Sequence, residues 1–159
     1  MAAGNATYTA QTRWLRQPDE AFTDNRYSRR HEWAFDGGVV VPGSSSVHSV
    51  RLPFSDPSAV DPEEALVAAA SSCHLLTFLY VAAKAGWIVD RYADDAVGVM
   101  GRNEQGRQSI TRITLRPAVH FGGRAPSAEE LEQLHHAAHE QCYIANSIKS
   151  EIVCEPQTA

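Results

Sequence analysis

The chain has 159 residues, 43% of them hydrophobic and 21% charged, with a formal net charge of −5. That length and balance fit a single soluble domain over residues 1–159 and exclude a disordered or low-complexity chain, and the lack of any basic run argues against a nucleic-acid partner. The start, MAAGNATYTAQTRW, shows no basic stretch leading into an apolar core, so a cytoplasmic protein is expected. In that compartment three cysteines do not make a stable disulfide framework, although a transient, catalytic disulfide stays open.

MAAGNATYTA is small and polar, so residues 1–12 are expected to fray, and a strand is expected to begin within Arg13–Pro18. RRHEWAFDGGVVVPG reads as a hairpin: apolar and polar residues alternate, Asp36-Gly37-Gly38 turns, and Val39–Val41 returns. A short strand is expected at Val47–Leu52, followed by a loop kept irregular by Pro53, Pro57 and the serines. A helix then starts at Asp61-Pro62, with Asp61 as the cap, Pro62 in the first helical position and Glu64 three residues after the cap. It runs to Gly86. Two strands follow, near Ala93–Arg102 and Ser109–Phe121, joined by the turn NEQGR. Ser127 and Glu130 form a second capping box ahead of the amphipathic helix SAEELEQLHHAAHEQC. YIANSIKS adds a short helix, and Glu151–Glu155 a last strand. Strands and helices are segregated along the chain, which is the α+β pattern.

The first helix poses a packing problem. Ala65–Ala83 carries no charge and approaches a membrane span in length. Ser71, Ser72, His74 and Thr77 interrupt it, and six alanines keep it only mildly hydrophobic, so a buried helix rather than a membrane segment is expected. A helix apolar nearly all round needs cover on both sides. Either a second copy of the chain packs on it in a symmetric homodimer, which is the simpler solution, or the second helix covers it within a monomer.

Cys73 lies near the middle of that helix, among Ser71, Ser72 and His74, and Cys142 lies at the end of the second helix, where a third begins. A helix N-terminus favours a thiolate. The two thiols are either inert buried residues or a pair that cycles between dithiol and disulfide. His135, His139 and Cys142 share one helix face at metal-like spacing, with His136 beside them. Solvated histidines are the commoner meaning of such a row, and no metal is expected. His74 reads as a packing residue and Cys154 as a strand residue. Trp33, Phe35, Phe54, Phe78, Tyr80 and Trp87 read mostly as core, one or two of them lining an apolar channel.

The stretch DPEEALVAAASSCH resembles the signature of the OsmC/Ohr family of thiol-dependent peroxidases: an Asn- or Asp-Pro-Glu helix start, an alanine-rich turn, then Ala/Ser-Cys. HHAAHEQCYIANSIKSEI is similar to the context of that family's second cysteine, and YSRRHEWAFDGG is closest to its OsmC-like branch. The resemblance covers about Tyr27 to Val153. One departure is Tyr143, which stands where the family often has a proline after the second cysteine.

The resemblance implies an OsmC-like fold, with strands packed around a long central helix in an intertwined homodimer. It implies reduction of organic hydroperoxides, with hydrogen peroxide as a second candidate substrate, as an antioxidant stress response. Cys73 would be the attacking thiol and Cys142 the resolving one, with a small dithiol, typically a lipoyl group, as reductant and no cofactor or metal. It further implies an arginine beside the thiolate, held by the glutamate that maps to Glu63. Arg29, before HEWAFDGG, and Arg51, in VRLPF, are the two candidates, with Arg29 slightly favoured and Arg30 expected on the opposite strand face. Glu63 and Cys73 are ten residues apart on one helix, which separates their Cα atoms by ~15 Å. Glu63 cannot reach its own Cys73, so a composite site at a dimer interface is expected. The rival readings are a cysteine hydrolase using Cys73 with a histidine, and an apolar-ligand binding module that has lost turnover.

Overall fold

A computed structural model describes residues 5–158 of the chain; the expectation of fraying at residues 1–4 lies outside the described residues. The polypeptide divides into two compact units, one ending at Ala65 and the other beginning at Leu66.

The first unit is built on a three-stranded antiparallel sheet of β1 (Ala10–Arg13), β2 (His31–Phe35) and β3 (Val40–Gly43), in the order β1-β2-β3. The β2–β3 pair is the hairpin read from the alternation around Asp36-Gly37-Gly38. Ala10, Gln11 and Thr12, expected to fray, instead pair with Phe35, Ala34 and Trp33. The strand expected at Val47–Leu52 does not form: turns occupy this stretch. The Ser46 hydroxyl accepts the His48 N–H and the Ser46 carbonyl accepts the N–H groups of Ser49 and Val50, so local bonds take the place of a ladder.

Helix α1 (Pro62–Lys84) starts where its residues dictate. The Asp61 carboxylate accepts the Glu64 N–H at 2.8 Å, and Glu64 reaches back to the Asp61 N–H at 3.2 Å, a reciprocal capping box. It ends at Gly86, whose φ of 80° few other residues would adopt. There the Trp87 N–H bonds the Ala82 carbonyl and the Gly86 N–H the Ala83 carbonyl, the two contacts of a Schellman end.

The second unit holds the remaining strands. The two long strands expected after α1 are each broken into two: β4 (Val89–Asp94) and β5 (Val97–Arg102), then β6 (Gln108–Leu115) and β7 (Pro117–Phe121). β4 pairs with β7, while β5, β6 and β8 (Glu151–Cys154) make a separate three-stranded sheet with β8 parallel to β6. The corner is held by Asp94, which accepts the Arg116 N–H at 2.6 Å and the Ser71 hydroxyl at 2.5 Å. Helix α2 (Ala128–Gln141) carries the predicted Ser127/Glu130 capping box.

Ala70, His74, Phe78 and Ala82, four residues apart along α1, form its buried stripe. Phe78 and Ala82 pack with Trp87, Val119, Leu134 and Ala138, and Ala70 packs with Ile113 and Leu115 under Ile144, Ile148 and Ile152. β5 crosses α1 closely: a Cβ on Gly98 would lie 2.5 Å from Val67 Cγ2. By length and composition α1 could cross a membrane, but this stripe is committed to protein. One side of the helix is exposed, with Leu76 65% and Tyr80 57% exposed, and Phe35 is also exposed, so two of the aromatic residues expected in the core lie at the surface.

Candidate active site

Cys73 precedes His74 on α1, so it sits about 100° round the helix from the buried stripe and is half-buried. Cys142 is the C-cap of α2, in extended backbone conformation, with its N–H on the His139 carbonyl. The short helix expected after it is absent, and residues 143–147 form consecutive turns. This is a correction with a physical reason. The Asn146 side-chain amide donates to the carbonyls of Glu140 and Cys142, the Ser147 hydroxyl donates to the Tyr143 carbonyl, and Ile144 and Ile148 are drawn into the core beside Ala70. Those bonds hold a compact turn rather than a helical ladder.

The turn gathers both sulfurs. Its Ile144 N–H donates to Cys73 Sγ at 3.4 Å, and its Ala145 N–H donates to Cys142 Sγ, also at 3.4 Å. Two consecutive main-chain amides thus serve two thiols from different helices, the kind of concavity in which backbone dipoles favour negative charge. The thiols themselves lie within hydrogen-bonding reach of each other, and neither is in a disulfide.

Their environments differ. Cys142 is 1% exposed. Burial, followed by its hydrogen bond with Cys73, pushes its thiol up to about 11, against a smaller downward pull from the Ala145 and Ile144 amides. Cys142 therefore does not have the low-pKa character of a thiol at a helix start. It is a protonated partner for Cys73 at neutral pH. The Cys73 carbonyl accepts the Thr77 hydroxyl, and Ser71 is turned to Asp94, so the small polar residues around Cys73 in sequence serve the helix and the sheet corner.

Cys73 and Cys142 are the predicted site residues that the fold brings together. Arg29, Arg51 and Glu63 belong to the first unit. Arg29 precedes β2 rather than lying in it; its guanidinium sits 3.8 Å over the Tyr27 ring and donates to the Asn25 and Tyr27 carbonyls. Arg30 pairs with Asp56 at 3.1 Å. Arg51 is exposed in the turn-rich loop, and Glu63 is half-buried in the first turn of α1, where Glu64 is the residue engaged in the cap.

The row His135, His139, Cys142 does not converge. Cys142 faces Cys73, whereas His135 Nδ1 lies 3.0 Å from His74 Nε2, and His136 pairs with Glu140 on the surface. Sequence reading missed the amides of Ile144 and Ala145, whereas the burial of His74 agrees with its reading as a packing residue. His74 falls on the apolar i, i+4 stripe of α1 with Ala70, Phe78 and Ala82.

The sequence profile of the OsmC-like protein family matches residues 55–157. The chain is similar to an OsmC-like protein of unknown function from Vibrio cholerae, with 49% identity, a TM-score of 0.93, and coverage of 96% of this chain and 100% of that one. It shares the fold of an organic hydroperoxide resistance protein from Elizabethkingia anophelis (16% identity, TM-score 0.67, 98% and 99% covered). It also shares the fold of the organic hydroperoxide resistance protein OhrB of Bacillus subtilis (17% identity, TM-score 0.65, 96% and 98% covered). No curated protein is detectably similar to the chain.

Proposed function

The chain belongs to the OsmC-like family, and from that premise we propose that it is a cytoplasmic thiol-dependent peroxidase that reduces organic hydroperoxides. The observation that carries this reading is the convergence of Cys73 and Cys142 on adjacent amides of one turn. The Cys73 thiolate attacks the terminal oxygen of the peroxide; the O–O bond breaks, an alkoxide leaves and takes up a proton as the alcohol, and Cys73 becomes a sulfenic acid. The Ile144 N–H supports the charge on the attacking sulfur. The Cys142 thiol then attacks the sulfenic sulfur, expelling water and forming the Cys73–Cys142 disulfide. A dithiol of the lipoyl class restores both thiols by exchange and leaves as its own disulfide.

The active unit in this reading is a homodimer. The exposed apolar side of α1, with Leu76, Leu79 and Tyr80, supports it. An antiparallel partner helix would bring the partner chain's glutamate at position 63, and with it an arginine at position 29 or 51, towards Cys73.

Stopped-flow oxidation of the reduced protein by cumene hydroperoxide and by hydrogen peroxide tests the proposal. Rapid oxidation by the organic peroxide, with turnover sustained by a dithiol, is expected. Reaction no faster than that of a free thiol would leave a binding module, and acylation by an activated ester with indifference to peroxide would make the protein a cysteine hydrolase.

A further inference from the structure

The residue after Cys73 belongs to a second cluster, which the peroxide chemistry does not use. His74 is 1% and His135 3% exposed. His74 Nε2 lies 3.0 Å from His135 Nδ1 and 3.8 Å from Cys154 Sγ, and the three atoms lie within 4.8 Å of one another. They come from α1, α2 and β8, all within the second unit. Only one hydrogen can occupy the space between the two facing ring nitrogens, and the Cys154 thiol competes for the same Nε2. The outward nitrogens, His74 Nδ1 and His135 Nε2, and the Tyr92 hydroxyl have no hydrogen-bond partner among the described residues.

We propose that His74 Nε2, His135 Nδ1 and Cys154 Sγ bind one divalent transition-metal ion of the zinc class. Bonds of about 2.0 Å to nitrogen and 2.3 Å to sulfur at tetrahedral angles put two nitrogens about 3.3 Å apart and nitrogen and sulfur about 3.5 Å apart. The separations of 3.0 and 3.8 Å are each within a few tenths of an ångström of those edges. Burial lowers both histidines to about 4, so both are held in the neutral form that ligates metals. Two imidazoles and a thiolate select zinc-like ions over magnesium or calcium, and the fourth position falls to water or the Tyr92 hydroxyl.

Charge also favours the ion. A divalent cation with one thiolate carries a single positive charge, and Asp94, whose field is felt at His74, Tyr92 and Cys154, supplies the compensating negative one. Binding releases one proton: Cys154 loses its thiol hydrogen to solvent, while the hydrogen shared by the inner nitrogens is taken up on an outward one. No electron moves.

The test uses the full-length reduced chain carrying Cys73→Ser and Cys142→Ser, so that neither redox thiol can supply the sulfur. Titration with Co²⁺ should saturate at one equivalent, with a thiolate-to-cobalt band in the near ultraviolet and tetrahedral d–d bands in the visible, reversed by Zn²⁺ and not by Mg²⁺. Adding Cys154→Ser should abolish the charge-transfer band, and adding His135→Gln should weaken binding by at least about tenfold. Both lie in packed surroundings, so a measurement without further substitution accompanies them: Zn²⁺ should protect Cys154 from maleimide labelling. Absence of the bands at saturating Co²⁺, their persistence in the Cys154→Ser chain, or unprotected Cys154 would each overturn the assignment. None of these readouts depends on peroxide turnover, so failure of the metal site and failure of the peroxidase reading are separate results.

Discussion

Iodoacetamide offered to the reduced protein at neutral pH will alkylate Cys73 long before Cys142. Alkylation proceeds through the thiolate. Burial and the Cys73 hydrogen bond raise Cys142 from an ordinary value of 9.0 to about 11, and each pH unit of that rise removes thiolate tenfold, so Cys142 has about a hundredfold less at pH 7.5 than an unperturbed cysteine. Its 1% exposure slows the approach of the reagent further. Cys73 is half-buried, open to solvent on one side, and receives an amide hydrogen bond. The assay is a timed pulse of light reagent, a quench, denaturation with heavy reagent, and mass spectrometry of the two cysteine peptides. Because a raised thiol gains its charge only as pH climbs, the Cys142 rate should grow about tenfold per pH unit through pH 8 to 10 and level off only near 11. In a Cys73→Ser chain the burial of Cys142 persists, so its labelling should remain slow. Labelling of Cys142 as fast as Cys73, or a Cys142 rate that levels off below pH 9, would refute the assignment of attacking and resolving roles.

Three further outcomes are expected. Cys73→Ser should abolish peroxide reduction, while Cys142→Ser should consume one peroxide per site and then stall with sulfenic or over-oxidised Cys73; sustained turnover of Cys142→Ser with a dithiol would remove Cys142 from the cycle. A Glu63→Ala chain and a Cys73→Ser chain, each inactive alone, should regain activity when unfolded and refolded together, because a heterodimer with shared sites keeps one site intact; well-folded mixed dimers without activity, or a monomer in sedimentation at micromolar concentration, would exclude sharing. Phe78→Ala should lower unfolding stability in urea by about 3–5 kcal/mol, the usual penalty for emptying a packed aromatic site, since Phe78 is fully buried and lies 4.4 Å from the His135 ring; a loss under 1 kcal/mol would mean that the core around α1 collapses to fill the space.

What could be read in the sequence was local. Asp61 with Glu64, Ser127 with Glu130, and Gly86 each act within one turn of a helix, and each sits where its residue type demands. The cysteine motif was legible because it, too, lies within one helix. The misses are tertiary. Nothing near Ala96 or Arg116 announces that two strands change sheets there; the corner depends on Asp94 accepting the amide of Arg116, far along the chain. Helical spacing put His135 with His139 and Cys142, but spacing on one helix says nothing about which neighbouring element meets each residue, and His135 met α1 and β8 while Cys142 met Cys73. Arg29 was expected in a strand and instead lies on Tyr27, a contact set by the loop before β2.

The donors to both sulfurs are peptide groups, and this changes what variation the site tolerates. Side chains at Ile144 and Ala145 can be exchanged without deleting either donor, whereas adding or removing one residue after Cys142 would displace both at once. The chain's departure at Tyr143 leaves both donors in place. A proline there would lack an amide hydrogen, but the hydrogens aimed at sulfur come from the next two residues, and the tyrosine ring is 79% exposed. The chemistry of this corner is written in the length of the main chain, not in the identity of the residue beside the cysteine.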